Sequence, residues 1–289
     1  MMRPPVSCQV FDQFNEGNIA LTSSGEEVLA GETLDALARW ADACWASEFA
    51  PPEVLERAPG LSIADAYRVQ LLRAARAVDA GDRVVGYKAA LTSRAMQAQA
   101  GVDEPLMGTL LRGGIYPERV SIELRAFRYA TVEPEVAALL GRDLAGPGVT
   151  RLEAIHAISG WLPCVEIGDL RTSFRPAPSI QQLICFNTLN AGQVFGGPLQ
   201  SLAGLDLRTE GVILSINGEV RASATAVEVL GDPLNAVVFI ANKLGQLGRV
   251  LEAGMICMTG SIVAGVHIEP GDDVRVEFTR LGQLALGFR

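Results

Sequence analysis

Apolar side chains recur at helical spacing near the start of the chain and at strand spacing beyond it. From Thr33 to Trp45 the apolar positions Leu34, Leu37, Ala38, Ala41 and Trp45 fall on one helical face, and Pro51-Pro52 closes that region. Ser62, with Asp65 three residues on, caps a second helix whose buried face carries Ile63, Ala66, Val69 and Leu72, with Gly81 as its stop. Residues 1–30 show no periodicity and are expected to form an irregular arm.

After Gly81 the period changes. Val84–Leu91 is a nearly continuous strand-like run, and Ser93 caps a short helix ending at Gly101. Short β-like segments follow around Gly108–Leu111, Val120–Leu124, Tyr129–Val132 and Val136–Leu140. Thr150-x-x-Glu153 is a capping box that opens a helix through Ile155 and Ile158, and Trp161–Asp169 returns to strand character. Val212–Ile216 and Val220–Ala224 flank Asn217-Gly218, a hairpin signal. Asp232 and Pro233 supply N-cap and first turn of a helix through Val237, Ile240 and Leu244. The Pro270-Gly271-Asp272 turn leads to strands at Val274–Phe278 and Leu281–Phe288. The pattern predicts an α+β protein: an arm over 1–32, a helical layer over 33–85 and a β-rich body over 86–289.

Composition narrows the function classes. With 49% hydrophobic and 20% charged residues in 289, the chain can bury a large core. The longest apolar runs are far short of a membrane span, and no secretory leader is evident, so a cytoplasmic location is expected. A net charge of −9 argues against nucleic-acid partners. The five cysteines lack a C-x-x-C pair, which argues against a disulfide framework or a structural zinc site. Among 24 basic residues only Lys88 and Lys243 are lysines. Lysine can give up its proton when desolvated and arginine cannot. Lys243 sits in a helical pattern and reads as surface, whereas Lys88 lies in an apolar strand.

Three acids stand out. In Val132-Glu133-Pro134-Glu135-Val136, residues two apart share a strand face, so the two glutamates sit side by side. Pro134 cannot donate to a ladder, which suggests an edge or a bulge, and an exposed pair of edge glutamates is the plain alternative. Glu166 lies inside the apolar Leu162–Ile167 strand, where a charge needs a partner or a metal. Together the three would make an all-oxygen site suited to Mg²⁺ or Mn²⁺. His156 and His267 read as structural, and Gly192–Gly197 reads as a tight turn, since it lacks the Lys-Ser/Thr of a phosphate loop.

The motif order Gly86–Ser93, Gly101–Gly108, Val132–Val136, Pro163–Ile167, Leu230–Leu234, Met258–Ser261 and Pro270–Asp272 resembles the hydratase/decarboxylase branch of the fumarylacetoacetate hydrolase superfamily. The resemblance runs from about residue 33 to the C-terminus. It implies a mixed β-sandwich roll with a helical N-terminal layer, holding a divalent ion, usually Mg²⁺. It further implies metal ligation by Glu133, Glu135 and Glu166, a catalytic Lys88, and Thr259 and Gly260 near the substrate.

Hydratases of the branch usually carry Asp at the position of Leu106, and the decarboxylases are usually apolar there. The resemblance therefore implies decarboxylation of 2-oxohex-3-enedioate or a similar 2-oxo acid in aromatic meta-cleavage catabolism, with Leu106 beside the departing carboxylate. Hydration of 2-hydroxypenta-2,4-dienoate is the alternative, with Asp103 or Glu104 as a substitute base. A metal-dependent C–C hydrolase and an inactive scaffold are the further alternatives. A homo-oligomer is expected, as is association with a related hydratase. Cys185-Phe186-Asn187 departs from the usual Ala-Asp-Asn of the branch, and the region Ala222–Ala226 lacks its usual Gly-rich stretch.

Overall fold

The computed structural model describes residues 19–21, 27–29, 31–47, 51–170, 177–201 and 204–289. Strands β1 (Ile19–Leu21) and β2 (Glu27–Leu29) pair antiparallel, where the sequence pattern gave no sign of strands. The remainder of the N-terminal arm lies outside the described residues.

The helical layer comprises α1 (Gly31–Ala46), α2 (Val54–Arg57) and α3 (Ile63–Asp79). Ser62 accepts a hydrogen bond from the Asp65 N–H, as its spacing predicts. Leu37, Ala38 and Ala41 of α1 and Ala66 and Val69 of α3 are fully buried, the consequence of an apolar stripe repeating every three to four residues.

The body begins with β3 (Val84–Ala90), α4 (Arg94–Ala100), β4 (Leu106–Leu111), β5 (Ile115–Tyr116) and β6 (Ser121–Ile122). Two long strands follow, β7 (Ala130–Leu140) and β8 (Ile158–Asp169), with α5 (Arg151–Ala157) between them. The capping box at Thr150 and Glu153 is formed, but α5 ends one residue before Ile158, which opens β8. Next come α6 (Ile180–Cys185), β9 (Asn190–Phe195), β10 (Gly211–Ile216) and β11 (Glu219–Thr225). The chain closes with α7 (Pro233–Gln246), β12 (Ile256–Met258), β13 (Val266–His267), β14 (Asp273–Phe278) and β15 (Gln283–Phe288). Asp232 and Pro233 cap α7, and Asn217-Gly218 turns the β10–β11 hairpin, both as expected. Gly192–Phe195 is part of β9 and not a tight turn.

A five-stranded sheet runs β11-β10-β14-β15-β6, and an eight-stranded sheet runs β4-β3-β12-β7-β8-β9-β5 with β13 on β7. The larger sheet curls back on itself. β5 follows β4 closely in the chain yet pairs with β9 near the opposite edge, and Gln193 of β9 donates to the Leu111 carbonyl of β4 at 3.0 Å. The result is the mixed α+β roll with a helical N-terminal layer that the sequence leads one to expect. No helix among the described residues is long and apolar enough to cross a membrane.

Two further expectations are overturned. The Glu133-Pro134-Glu135 segment is neither a sheet edge nor a bulge, because β7 is flanked by β8 on one side and by β12 and β13 on the other. The partner is interrupted only between β12 and β13, and there the Pro134 carbonyl accepts from the Ile262 N–H at 3.0 Å. The missing Pro134 donor thus falls opposite a loop, and a central strand tolerates it. Lys243 is not a surface residue. It is 8% exposed, its ammonium donates to Glu104 Oε1 at 2.8 Å, and it lies 5.6 Å from the Tyr67 ring centre and 5.8 Å from that of Phe239.

Candidate metal centre

Strand register decides which side chains share the inner face of the roll. Glu133 pairs with Glu166 and Glu135 with Cys164 across β7 and β8, and directly opposed residues project to one face. Met258 of β12 pairs with Ala137 on one side and with Lys88 on the other, which brings Lys88 to that same face. Gly108 of β4 stands opposite Lys88, and Gln193 of β9 opposite Glu166.

Curvature then brings the side chains together. Across a flat sheet β3 and β8 would be about 14 Å apart, three strand spacings. Here Lys88 Nζ lies 2.8 Å from Glu166 Oε1 and 2.7 Å from Oε2. Lys88, Glu135 and Glu166 are all buried, and Glu133 is partly buried. One carboxylate oxygen from each of Glu133, Glu135 and Glu166 lies within 4.8 Å of the others. A floor of Leu110, Ala137, Cys164 and Met258 beneath the cluster is fully buried and apolar.

Each carboxylate is oriented differently. Glu135 Oε2 accepts the Gly260 N–H at 2.8 Å, while its Oε1 is buried without a hydrogen-bond partner among the described residues. Glu166 Oε1 also accepts from Asn190 Nδ2 at 3.1 Å. Thr259 anchors the loop that carries Gly260, because its N–H and hydroxyl both donate to the Val136 carbonyl, at 3.1 and 2.9 Å. Gly260 is required where it is. Its φ is +104°, and a Cβ there would stand 2.4 Å from Thr92 Oγ1.

The electrostatics follow from packing three acids around one ammonium. Burial disfavours the charged Glu133 and repulsion from Glu166 adds to it, with Lys88 opposing, so its pKa rises to about 7. Burial and Glu166 likewise push Glu135 well above the carboxylate range, against the pull of Lys88. Burial pulls the Lys88 ammonium down, but Glu166, Glu133 and Glu135 outweigh it and hold its pKa above the ordinary value. Burial, and then Glu135 and Glu166, keep the Cys164 thiol protonated.

Three converging oxygen donors, one of them a buried carboxylate oxygen lacking a partner among the described residues, fit a hard divalent cation. A cation would relieve the mutual repulsion and satisfy Glu135 Oε1.

The structure brings Lys88, Glu133, Glu135, Glu166, Thr259 and Gly260 to one site. Leu106 pairs with Ala90 and so lies on the same face of β4 as Gly108, where it is buried. Glu104 is engaged by Lys243, and Asp103 is exposed. His267 stacks on Tyr129 with ring centres 3.8 Å apart, and its Nδ1 lies 3.0 Å from the Ala130 carbonyl oxygen. Sequence reasoning did not pick out Asn190 and Thr92 as site residues. Thr92 lies in the Gly86–Ser93 motif and meets Gly260 through the parallel pairing of β3 with β12, while Asn190 reaches Glu166 from the neighbouring strand β9.

Comparison with known proteins agrees with this architecture. Residues 73–288 match the fumarylacetoacetate (FAA) hydrolase C-terminal family. The chain is 34% identical over 230 residues to a 4-oxalocrotonate decarboxylase of Pseudomonas putida, covering 80% of this chain and 87% of that one. It is 33% identical to a 2-keto-4-pentenoate hydratase of Paraburkholderia xenovorans (strain LB400), covering 80% and 85%. The solved structure of a 4-oxalocrotonate decarboxylase from Pseudomonas putida G7, complexed with magnesium and adipate, superposes with a TM-score of 0.87 at 32% identity, covering 91% of this chain and 99% of that one.

Proposed function

The chain belongs to the fumarylacetoacetate hydrolase family, and from that premise we propose that it is a Mg²⁺-dependent lyase that decarboxylates 2-oxohex-3-enedioate or a similar 2-oxo-enoate. Glu133, Glu135 and Glu166 hold the cation in this reading, with Mn²⁺ as a substitute. When bound, the cation supplies a fixed positive charge that stabilises negative charge developing on the substrate's 2-oxo group. The distal carboxylate leaves as CO₂, and its bonding pair delocalises through the enone toward that group. Lys88 Nζ holds a proton for return to carbon, and solvent restores it. The raised Lys88 pKa keeps the proton in place at neutral pH. Leu106, buried on the Lys88 face of β4, supplies an apolar wall for the carboxylate that leaves.

The single observation that carries this reading is the Lys88–Glu166 contact at 2.7 Å beside two further carboxylates. Hydration of 2-hydroxypenta-2,4-dienoate is the second reading, favoured by the likeness to the hydratase. It needs a base to activate water. Leu106 cannot serve, and Glu104 is paired with Lys243. The reading implies a small 2-oxo acid as partner and the cytoplasm as compartment. Self-association, and association with a related hydratase, are part of the same proposal. Incubation with Mg²⁺ and 2-oxohex-3-enedioate is expected to release CO₂, with 2-hydroxypenta-2,4-dienoate consumed slowly or not at all. Hydration without CO₂ release would reverse the assignment, and turnover unaffected by chelation would end it.

A further inference from the structure

Asn187, Thr188 and Leu189 are three consecutive non-glycine residues with left-handed backbone, at φ 56°, 50° and 63°. Side chains rarely adopt that conformation, and such strain collects where a group must be held in one place. The segment is fastened at both ends. Asn187 Oδ1 accepts the Thr109 N–H at 2.7 Å, and its Nδ2 donates to the Thr109 carbonyl at 2.9 Å. At the other end Asn190 holds Glu166. The turn therefore bridges β4 to β8 across the mouth of the curled sheet.

Between these anchors the Thr188 hydroxyl is buried and has no hydrogen-bond partner among the described residues. A Cβ on Gly108 would meet Thr188 Oγ1 at 2.8 Å and Lys88 Cγ at 3.1 Å, so the hydroxyl hangs over Gly108 beside the lysine stem. An apolar residue at 188 would avoid the desolvation that this hydroxyl suffers. The other inner-face side chains of β4, Leu106 and Leu110, are apolar. The Lys88 ammonium meets Glu166, and Thr188 sits by the Cγ end of the same side chain, so the orphaned hydroxyl neighbours the lysine that reaches the carboxylate cluster.

We infer that Thr188 is a substrate-contacting residue. Its hydroxyl donates a hydrogen bond to the distal carboxylate of a 2-oxo dicarboxylic acid and so selects dicarboxylates over monocarboxylates. The inference rests on the proposed lyase reading, and a binding measurement separates the two. Thr188→Val keeps the β-branch and the volume and removes only the hydroxyl; Thr188→Ser restores it. Calorimetric titration with adipate and with hexanoate, each in the presence of Mg²⁺, reads binding without turnover.

Thr188→Val is expected to weaken adipate about 10- to 100-fold, the loss of a hydrogen bond to a charged group, and to leave hexanoate within about twofold. Thr188→Ser recovers most adipate affinity. The melting temperature of Thr188→Val stays level or rises, because an unsatisfied buried group has been removed. Unchanged adipate affinity, or equal loss for adipate and hexanoate, would overturn the inference. Wild-type protein that releases CO₂ while Thr188→Val binds adipate normally sinks the inference alone. Wild-type protein that binds adipate through Thr188 but turns over neither substrate sinks the lyase reading alone.

Discussion

The raised Glu133 pKa makes a sharp statement about the metal-free protein. An ordinary glutamate titrates at 4.5, and Glu133 in the folded chain at about 7. Between those values the folded state holds a proton that the unfolded chain has released, so stability falls as pH rises through this window. The effect is absent below the unfolded value and complete above about pH 7. One pH unit is worth about 1.4 kcal/mol, so the full loss is about 3 kcal/mol. Glu133 keeps partial solvent contact, which makes that an upper value. The proton belongs in part to the neighbouring Glu135, which shares the same field.

The perturbation is Glu133→Gln, which removes the charge and keeps the shape. Urea unfolding of chelated wild type and variant from pH 5 to pH 8 gives the difference in stability. The variant is expected to gain on the wild type by up to about 3 kcal/mol as pH rises. Excess Mg²⁺ reverses the order at pH 8, because the cation stabilises the three-carboxylate form and competes with the proton. A difference that stays flat across pH 5–8 in chelator would mean that Glu133 titrates as an ordinary carboxylate and that its burial beside Glu166 does not hold the proton.

Three further predictions concern the cluster and the two histidines outside it. Lys88→Met removes one partner of a buried pair, so the chelated protein loses about 3–5 kcal/mol in urea unfolding; with Mg²⁺ it refolds and binds metal, but turnover falls about 10²- to 10⁴-fold. Gly260→Ala must strain a backbone at φ +104° and displace Thr92, at a cost of about 1–3 kcal/mol. It should also weaken Mg²⁺, measured by calorimetry, about tenfold through loss of the N–H bond to Glu135. His156→Gln and His267→Gln should each leave turnover within about threefold, because neither ring lies in the cluster; near-total loss at either would revive hydrolysis, in which a histidine activates water.

Much of the local structure is legible in the chain. Ser62, Ser93, Thr150 and Asp232 each cap the helix that their spacing predicts, because capping is settled by residues two or three positions apart. Asn217-Gly218 turns its hairpin for the same reason. Tertiary pairing is where local reading fails. Pro134 signals an edge only if its neighbour is a continuous strand, and the break between β12 and β13 is not written in β7. Lys243 reads as surface from helical spacing, yet Glu104, 139 residues away in sequence, accepts a hydrogen bond from its ammonium beside the rings of Tyr67 and Phe239.

The site divides the same way. That Glu133 and Glu135 share a face follows from strand alternation at every second residue, and a charge at Glu166 or Lys88 within an apolar strand already calls for a partner. That these partners are one another depends on strand pairing and sheet curvature. Register sets Glu133 against Glu166, and the curl of the sheet carries Lys88 across two intervening strands to within 2.7 Å of it. Curvature is a sum of twists over many residues, so no short motif encodes it. Thr188 owes its position to that same closure of the sheet.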